Sequence, residues 1–372
     1  MASGEDRILR LIGSHFANSH PSAPFGRGDD CVLLKPDYVN GDSALIALTT
    51  DIFAENSHFR RRYFSPYEIG RKALAVNISD LAAEGARPSG FSLALTLRGD
   101  ESEEWLDDFF NGMAEMSAQY DMLLSGGDLS KGDSLHVAVT AWGDYAHGGR
   151  PLLRRGAYDP ASGDMVRDVM KEGDVIFLIG EVGLAAAGLK GLEEAEDENG
   201  SVLFKKRYPS CAAAHLSPTP LTPFGTALSL FSADSYSLSE EAYVSLMDVS
   251  DGLARDLPRI LGREGLLTSK TPLGADISLT PDSEELLAFC SEYGLDADAF
   301  AFSGGEDYAL LGICPAQLWP EIQELMGKTA ELSSLAVPVR KLGTVTGGGI
   351  RLNGKEVQFE GFDHFSLQHT GV

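Results

Sequence analysis

The chain has 372 residues, of which 43% are hydrophobic, so it is long enough to build a substantial core and to form two domains. Its 55 acidic residues outnumber the 30 Lys and Arg residues and give a formal net charge of −25. This charge argues against nucleic acid and anionic membranes as partners. Anionic small substrates stay compatible with it, because divalent metals bridge carboxylates and phosphates.

The sequence has no apolar run long enough to span a membrane, and its first residues do not have the pattern of a signal peptide. Its four cysteines are scattered and have no CxxC spacing: Cys31, Cys211, Cys290 and Cys314. Such cysteines suit a reducing compartment and provide neither a zinc site nor a disulfide framework. We therefore expect a cytoplasmic protein with no membrane partner.

The first part of the chain predicts alternating strands and helices, which is typical of an α/β or α+β domain. In chain order we expect a helix over 5–17, strands over 31–34 and 44–49, a helix that begins at residue 65, a strand over 91–97, a helix over 103–120, a short apolar stretch at 122–124 and a strand over 135–142. We expect this first domain to occupy residues 1–150.

The second part predicts a further α/β domain over residues 151–372. Residues 151–173, with a Gly- and Asp-rich insert over 157–168, have the composition of a linker, and residues 193–240 are expected to be partly irregular. The other segments are strands over 174–179, 247–250, 276–279, 308–313 and 339–359, and helices over 184–192, 253–261, 283–293 and 319–326. Asn353-Gly354 predicts a hairpin turn within the last strand region.

The helix that begins at Ser65 is the most informative stretch of the first domain. Ser65 and Glu68, three residues apart, have the pattern of a capping box, and Gly85 marks the end of the helix. Apolar residues cover nearly every face between these positions, which is typical of a buried helix. Asn77 and Asp80 nevertheless share one face inside this run.

Asp80 lies toward the C-terminus of this helix, the unfavourable end of the helix dipole for a carboxylate. No Lys or Arg stands three or four residues away from it. A buried carboxylate without a cation is costly, so a metal ion is one explanation for Asp80. The other explanation is that the helix breaks near Val76 and leaves Asp80 in solvent. The helix by itself leaves both open.

Other acidic residues recur where predicted strands end, and ligands in α/β folds gather at such ends. They are Asp29, Asp30, Asp51, Asp128, Asp248 and Asp251. Together with Asp80 they would offer the hard oxygen ligands that Mg²⁺ prefers. Each acid alone is equally compatible with an ordinary turn, so the recurrence is what favours a metal site.

Glycine pairs precede two of the acidic positions, at residues 126–128 (GGD) and 304–306 (GGE). Glycine lets a backbone approach a ligand closely and exposes N–H groups to phosphate oxygens, although a tight turn needs the same residue. Residues 248–252 (DVSDG) open a predicted helix, where Ser250 is either an N-cap or a phosphate contact. The sequence has no recognisable nucleophile–base pair and no histidines at metal-ligand spacing.

Several segments together match the motifs of one family, in that family's order from about residue 4 to residue 365. Along the chain they are Gly28-Asp29-Asp30, Thr49-Thr50-Asp51, His58-Phe59, KALAVNISDLAAEGARP (72–88), Gly126-Gly127-Asp128, Asp248-Val249-Ser250-Asp251-Gly252, SGGEDYALL (303–311), KLGTVTGGG (341–349) and Gly361-Phe362-Asp363-His364-Phe365. The sequence thereby resembles the thiamine-monophosphate kinase family. The broader superfamily includes aminoimidazole ribonucleotide synthetase, selenophosphate synthetase and the hydrogenase maturation protein HypE.

The resemblance implies a two-domain aminoimidazole ribonucleotide synthetase-like fold of the α/β (α+β) class, whose N-terminal domain forms a homodimer through its sheet. It implies that ATP, the co-substrate, binds near the dimer interface through several Mg²⁺ ions. The reaction would pass the γ-phosphoryl group of ATP directly to thiamine monophosphate, giving thiamine diphosphate and ADP. Such a transfer needs positioning and charge neutralisation more than a general base, which agrees with the many acids in the sequence.

The same resemblance implies the site residues by motif match. Those for metal are Asp30, Thr49, Thr50, Asp51, Asp80, Asp128, Asp248 and Asp251. Those for ATP are Gly127, Asp128, Arg154 and Ser250, and those for thiamine phosphate are His58, Glu306 and Phe362. Among the acids, Asp80, Asp128 and Asp251 are expected to matter most for catalysis.

The sequence also departs from the family pattern. The insert over 157–168 follows Arg154-Arg155, so either arginine is a candidate for the nucleotide contact, and Phe362 replaces a tyrosine that many members have. Residues 193–240 match no motif of the family. Two alternatives stay open: another ATP-dependent enzyme of the superfamily, or a nucleotide-binding protein without activity. The chain lacks the C-terminal cysteine of HypE proteins and retains the expected acids, which favours the kinase.

Overall fold

The structure, a computed structural model, describes residues 29–34, 45–145, 148–159, 164–238, 242–263, 269 and 271–357. The helix predicted over 5–17 lies outside these residues. The first part of the chain contains strands β1 (Val32–Leu34), β2 (Ile46–Ala54), β3 (Arg87–Leu97), β4 (Leu123–Lys131) and β5 (His136–Asp144). Its helices are α1 (Pro66–Ala83) and α2 (Glu103–Gln119).

A hairpin of β6 (Gly156–Asp159) and β7 (Asp164–Arg167) leads into the second part of the chain. The strands that follow are β8 (Val175–Ile179), β9 (Ser245–Val249), β10 (Gly274–Ile277), β11 (Ala309–Cys314), β12 (Val339–Thr346), β13 (Ile350–Leu352) and β14 (Lys355–Glu356). The helices are α3 (Leu184–Glu194), α4 (Glu198–Arg207), α5 (Pro209–Leu216), α6 (Thr222–Leu238), α7 (Leu253–Ile260), α8 (Glu284–Tyr293), α9 (Ala297–Ser303) and α10 (Trp319–Ser333).

The strands form two large mixed sheets. The first has the order β1-β2-β5-β3-β4, with β3 and β4 parallel. The second has the order β14-β13-β10-β12-β8-β11-β9, with β10 and β13 parallel. Strands β8, β9 and β11 are buried at every residue, which explains the unbroken apolar sequences of β8 and β11. Strand β9 also buries two polar residues, Ser245 and Asp248. The predicted hairpin turn at Asn353-Gly354 joins β13 to β14, with positive φ at both residues.

Helix α1 packs against both parts of the chain, on β2 and β5, beside α2, and against α6 and β9. The predicted capping box is confirmed: Ser65 Oγ accepts from the Glu68 N–H at 3.2 Å, and Glu68 Oε2 accepts from the Ser65 N–H at 2.7 Å. Gly85 follows the helix with φ 75°, as predicted for its C-terminal turn. Because the helix is continuous through Asp80, the suggested break near Val76 is wrong.

Two predictions about segments without family motifs are wrong. The expected linker contains the β6–β7 hairpin, a separate two-stranded sheet. Most of the segment 193–240, which was expected to be partly irregular, forms the helices α4, α5 and α6. Asp197 caps α4 by accepting from the Gly200 N–H at 2.8 Å, and Pro209 occupies the first turn of α5. Proline and acidic residues there start helices rather than interrupt them, because the first turn needs no N–H and favours negative charge.

Asp51 and Asp128 lie inside β2 and β4, so the prediction that they follow strand ends is wrong. The glycine pair before Asp128 continues β4 instead of turning. Gly126 has φ 137° beside a register shift between β3 and β4, and a Cβ on Gly127 would lie 1.7 Å from the Leu93 carbonyl oxygen. Glycine therefore serves close strand packing here, which the sequence pattern does not distinguish from a turn.

The described helices include none that is both long and apolar enough to cross a membrane. The buried core includes residues of both parts of the chain and surrounds α1, whose Leu74, Ile78 and Leu81 have no exposed surface. All four cysteines are free and buried. Helix α1 and the strands beside it therefore form a rigid base for the polar residues described next.

Candidate metal and nucleotide site

Three acids from distant parts of the chain meet beside helix α1. Asp30 precedes β1, Asp80 lies in the last turn of α1, and Asp248 lies in β9 next to its end. One carboxylate oxygen of each residue lies within 4.8 Å of those of the other two. Asp248 is buried, whereas Asp30 and Asp80 are partly exposed. We refer to these three residues as the acid cluster.

Strand β2 adds polar residues to one side of the acid cluster. Thr49 Oγ1 donates to Asp80 Oδ2 at 2.5 Å, and the charge of Asp51 acts on Asp80 as well. Thr50 faces the opposite way because side chains alternate along a strand. Its hydroxyl lies 2.9 Å from that of Thr140 on the exposed face of the sheet. The structure thus brings Thr49 and Asp51 to the cluster but not the Thr50 side chain.

The acids are crowded enough to resist full ionisation. Burial, followed by the charges of the neighbouring acids, raises the pKa of Asp80 well above its usual range. Burial and Asp30 raise the pKa of Asp248 in the same way. The same two causes raise the pKa of Asp51 to about 6. Such a group of acids favours either bound protons or a bound cation.

Arg154 lies on another side of the acid cluster. Its guanidinium pairs with Asp30, and its backbone N–H donates to Asp29 Oδ2 at 2.8 Å. Burial raises the pKa of Asp29 to about 7, although Arg154 acts in the opposite direction. Arg155 pairs instead with Asp168, just after β7. Of the two arginines that the sequence left as candidates, Arg154 contacts Asp30 of the acid cluster.

The loop after β9 carries Ser250 and Asp251 toward a second charged group. Asp251 Oδ2 lies 2.6 Å from Arg259, and its N–H donates to the fully buried Asp256 at 3.0 Å. Gly252 is the N-cap of α7, so Ser250 does not have the ordinary capping role. Asp251 therefore contacts arginine in this structure and is not part of the acid cluster.

Gly127 and Asp128 lie apart from the acid cluster. Strand β4 is an edge of the five-stranded sheet, and β3 and β5 separate it from β2. At the usual spacing between strands, about 14 Å lies between β2 and β4. Every residue of β4 is exposed. Within a single chain, Asp128 is therefore too far along the sheet to join Thr49 and Asp51.

Glu306, a predicted substrate contact, is held by two residues from other elements. It adopts φ 64°, and its Oε2 lies 3.2 Å from Lys72 Nζ and 2.7 Å from His215 Nδ1. Burial by itself would raise the pKa of Glu306, but the Lys72 ammonium, followed by His215, outweighs it and holds the pKa below its usual range. Glu306 is therefore a permanently ionised carboxylate at neutral pH.

The neighbours of Glu306 have separate roles. Asp307 accepts from the N–H groups of Gly183 and Ala185 at 2.7 and 3.0 Å and so caps α3. Tyr308 has φ 52°, and burial, followed by the charge of Glu306 and those of nearby acids, raises its pKa well above the usual range. Two residues at positive φ within three positions indicate a strained backbone, which is common at functional sites.

His58 lies near the same side of the molecule as Glu306. Its Nδ1 accepts from the Ala54 N–H at 3.1 Å, and its ring centre is 5.9 Å from that of Phe53. The Phe53 ring also lies 5.8 Å from Lys72 Nζ. His58 is thus one aromatic ring away from the ammonium that holds Glu306. Phe362, the third predicted substrate contact, lies outside the described residues.

Asn77 and Glu84, which share the face of Asp80, do not enter the acid cluster. Asn77 Nδ2 donates to the Ala73 carbonyl oxygen at 3.1 Å, within its own helix. Glu84 is completely buried, and neither of its carboxylate oxygens has a hydrogen-bond partner among the described residues. Burial, followed by Asp29 and Asp30, raises its pKa well above the usual range. Glu84 therefore lines the surroundings of the site without belonging to the acid cluster.

The acid cluster fits a divalent cation. All of its donor atoms are carboxylate oxygens, they converge within 4.8 Å, and they raise one another's pKa. A bound cation would remove this mutual repulsion. Oxygen donors of this kind suit Mg²⁺, which takes one or two carboxylates together with substrate phosphates.

Comparison with known proteins extends this geometry to a family. Residues 28–144 match the family described as AIR synthase related protein, N-terminal domain. The thiamine-monophosphate kinase of Haemophilus influenzae is 31% identical over 377 residues, which cover 98% of this chain and 99% of that protein. The enzyme of the same name from Escherichia coli K12 is also 31% identical, with the same coverage. The chain belongs to the thiamine-monophosphate kinase family.

Solved structures of other members of this family have the same fold as this chain. AaThiL complexed with AMPPCP and TMP superimposes with a TM-score of 0.72 at 26% identity, covering 96% of both chains. The thiamine-monophosphate kinase of Stenotrophomonas maltophilia K279a gives 0.67 at 29% identity. HypE in complex with ATP gives 0.61 at 17% identity, which shows a common fold alone. The predicted aminoimidazole ribonucleotide synthetase-like fold is therefore confirmed.

Sequence reasoning missed three charged or polar residues beside the site: Lys72, His215 and Arg259. A signal was available for Lys72, since a lysine within a helix that is apolar on every face needs a carboxylate partner. No local signal existed for His215 or Arg259. Their partners Glu306 and Asp251 lie in other elements, so only the tertiary contacts reveal them.

Proposed function

We propose that this chain transfers the γ-phosphoryl group of ATP to the phosphate of thiamine monophosphate, giving thiamine diphosphate and ADP. Its similarity to thiamine-monophosphate kinases over nearly their whole length supports the reaction. A relative solved with AMPPCP and TMP supports the two substrates. The observation that carries the proposal is the convergence of Asp30, Asp80 and Asp248 on one point, where two anionic substrates need neutralising charge.

We assign several Mg²⁺ ions to the acid cluster and to Thr49 and Asp51 beside it. Bound Mg²⁺ would neutralise the phosphate oxygens of both substrates and the charge that develops during transfer. Thr49 holds the orientation of Asp80 through its hydrogen bond. Arg154 holds Asp30 through its ion pair. Its guanidinium adds a positive charge to that of the Mg²⁺ ions beside the acid cluster, which suits the predicted contact with ATP. Ser250, close to Asp248 in the chain, is the other predicted ATP contact.

The acceptor in this reaction is already an ionised phosphate, so no side chain has to remove a proton from it. The residues of the site then act by holding two mutually repelling anions in line. The partly exposed carboxylate of Glu306, with His58 nearby, is the proposed receptor for the thiamine part of the acceptor. Phe362 stays a prediction. Glu306 carries a fixed negative charge that complements the positive thiazolium ring of thiamine.

We further propose that the chain forms a homodimer through the exposed side of its five-stranded sheet. Large apolar side chains stand on the surface of this sheet: Ile52 is 57% exposed, Leu123 67% and Leu129 70%. Such a surface is typical of an interface. Asp128 and Gly127 lie on the same edge strand, so we assign them to the ATP site only in the dimer. Thr50 and Asp251 as metal ligands, the division at residue 150 and a cytoplasmic location stay predictions.

The test is direct. The purified protein is incubated with ATP, Mg²⁺ and thiamine monophosphate, and thiamine diphosphate is measured by chromatography. Parallel reactions contain EDTA, or unphosphorylated thiamine instead of the monophosphate. We expect thiamine diphosphate only in the complete mixture. Absence of product from protein that is folded and dimeric would refute the proposed reaction, and equal turnover with EDTA would refute the assignment of Mg²⁺.

A further inference from the structure

Lys72 is a charged residue in the interior that the reaction described above does not use. It lies in α1, eight residues before Asp80, and its side chain has no exposed surface. Burying an ammonium is costly unless it is paired and hydrogen-bonded. Helix α1 is apolar on nearly every face, so the charge is not needed to solubilise the helix. The contacts of Lys72 therefore point to its purpose.

The ammonium of Lys72 has two acceptors and lies close to two aromatic rings. Nζ donates to the His215 carbonyl oxygen at 2.5 Å and to Glu306 Oε2 at 3.2 Å. The rings of Phe53 and Phe64 lie 5.8 and 5.7 Å from Nζ, within the range of cation–π attraction. These partners come from four different elements or loops. Lys72 is thus held in one place and in turn fixes whatever it binds.

The contacts of Glu306 are divided unequally between its two oxygens. Oε2 accepts a hydrogen bond from Lys72 Nζ at 3.2 Å and lies 2.7 Å from His215 Nδ1. No hydrogen bond to Oε1 is found within the described part of the chain, and the Glu306 side chain is 24% exposed. The Glu306 N–H donates to the Ser250 carbonyl oxygen at 2.7 Å, which anchors the backbone to the loop after β9. Oε2 of Glu306 is therefore held by the protein, and Oε1 is available to a ligand.

We propose that Lys72 is a positioning residue for the acceptor substrate: it holds Glu306 by Oε2 so that Oε1 faces the cationic and amino groups of thiamine monophosphate. This inference rests on the proposed function. It goes beyond it by naming a residue that touches neither substrate but fixes one that does. His215 supports the same arrangement from α5, within the segment for which the sequence offered no family motif.

A purely structural role for Lys72 makes a different prediction. If the Lys72–Glu306 pair served only to join α1 to the segment 303–308, its loss would lower the stability of the protein. It would then have no selective effect on the affinity for either substrate. If Lys72 positions Glu306, its loss affects thiamine monophosphate and leaves ATP unaffected. The two residues would then also act as a unit, so that removing both costs no more than removing Glu306 alone.

The experiment compares Lys72→Met, Glu306→Gln and the double variant in steady-state kinetics with each substrate varied, alongside thermal unfolding. Arg71→Met is the matched control, because Arg71 immediately precedes Lys72 in α1 and pairs with Glu115 and Ser217 instead. We expect Lys72→Met to raise KM for thiamine monophosphate about tenfold or more. KM for ATP should change less than about twofold, and kcat should change little, because ground-state binding is what is lost.

The double variant keeps the proposal testable if Lys72→Met alone is too unstable to fold, because it leaves no unpaired charge of this pair in the interior. Its KM for thiamine monophosphate should equal that of Glu306→Gln within about twofold. A further increase on removing Lys72 from Glu306→Gln overturns the proposal, as does an unchanged KM in folded Lys72→Met. If the parent protein itself does not phosphorylate thiamine monophosphate, the proposed function fails instead, and the two failures are distinguished.

Discussion

Replacing Asp80 by Asn tests the central acid of the site. The isosteric amide keeps an acceptor oxygen for the Thr49 hydroxyl, so the packing of α1 is preserved. The substitution removes one negative charge from a cluster whose oxygens lie within 4.8 Å of one another. We therefore expect opposite effects on stability and on activity: the metal-free protein becomes more stable, and the enzyme loses its rate.

The magnitude follows from the geometry. Two unit charges of the same sign 4.8 Å apart repel by about 3.5 kcal/mol at an effective dielectric constant of about 20. Asp80 faces two such neighbours, Asp30 and Asp248. The acids limit this repulsion by keeping protons, as their raised pKa values indicate. At pH 8 in EDTA we expect Asp80→Asn to raise the free energy of unfolding by about 2 kcal/mol, a fraction of the full repulsion.

The assay is chemical denaturation with and without Mg²⁺, together with turnover of thiamine monophosphate. We expect the stabilisation by Mg²⁺ to shrink in Asp80→Asn and kcat to fall at least about a hundredfold, because a metal ligand is lost. Asp144→Asn is the control, since Asp144 pairs with Arg87 on the surface. A metal-free Asp80→Asn protein less stable than the parent, or one with full activity, would show that Asp80 does not belong to a repulsive metal-binding cluster.

Three further predictions concern pH, the cap of α1 and the edge strand. The pKa values of about 7 for Asp29 and about 6 for Asp51 lie above the unfolded value near 4, so both groups stabilise the folded state below about pH 4 and this contribution is lost as pH rises toward about 7. Stabilisation by Mg²⁺, measured as the increase in Tm on adding Mg²⁺, should therefore be larger at pH 8 than at pH 5. An increase in Tm that is smaller at pH 8 than at pH 5 contradicts this. Ser65→Ala should lower the free energy of unfolding by about 1 kcal/mol in denaturant titration, since it removes the capping box, and no loss would mean that the packing of α1 makes its cap dispensable. Gly127→Ala should destabilise the chain by about 2 kcal/mol or more, because its Cβ would lie 1.7 Å from a carbonyl oxygen of β3. Gly327→Ala in α10, where a Cβ meets no atom within 4 Å, should instead be neutral or stabilising, and equal effects of the two would refute the close-packing argument.

Local features of α1 could be predicted from the sequence because their causes are local. The Ser65–Glu68 box and the turn at Gly85 depend on residues a few positions apart. The apolar pattern on every face correctly indicated burial. The metal ion suggested by the unpaired Asp80 stays a prediction, and the structure adds that other acids lie beside it. The family followed from motif order, which is also a property of the chain alone.

Tertiary structure decides wherever the local pattern fits more than one arrangement. The glycine pair before Asp128 is as typical of a turn as of a close strand pair, and only the pairing of β4 with β3 decides between them. Thr49 and Thr50 are equivalent in the sequence, but the register of β2 directs one to Asp80 and the other to the exposed face. The proline at the start of α5 marks a helix because that segment has an apolar core to pack against.

The composition, the capped helix and the order of the motifs are determined by the sequence itself. Which residues meet is decided by the fold, since Asp30, Asp80 and Asp248 come from three elements and Lys72 meets Glu306 across 234 residues. The physical reason is that side-chain period and capping act over a few residues, whereas convergence depends on sheet order and on the packing of α1 between the two parts of the chain.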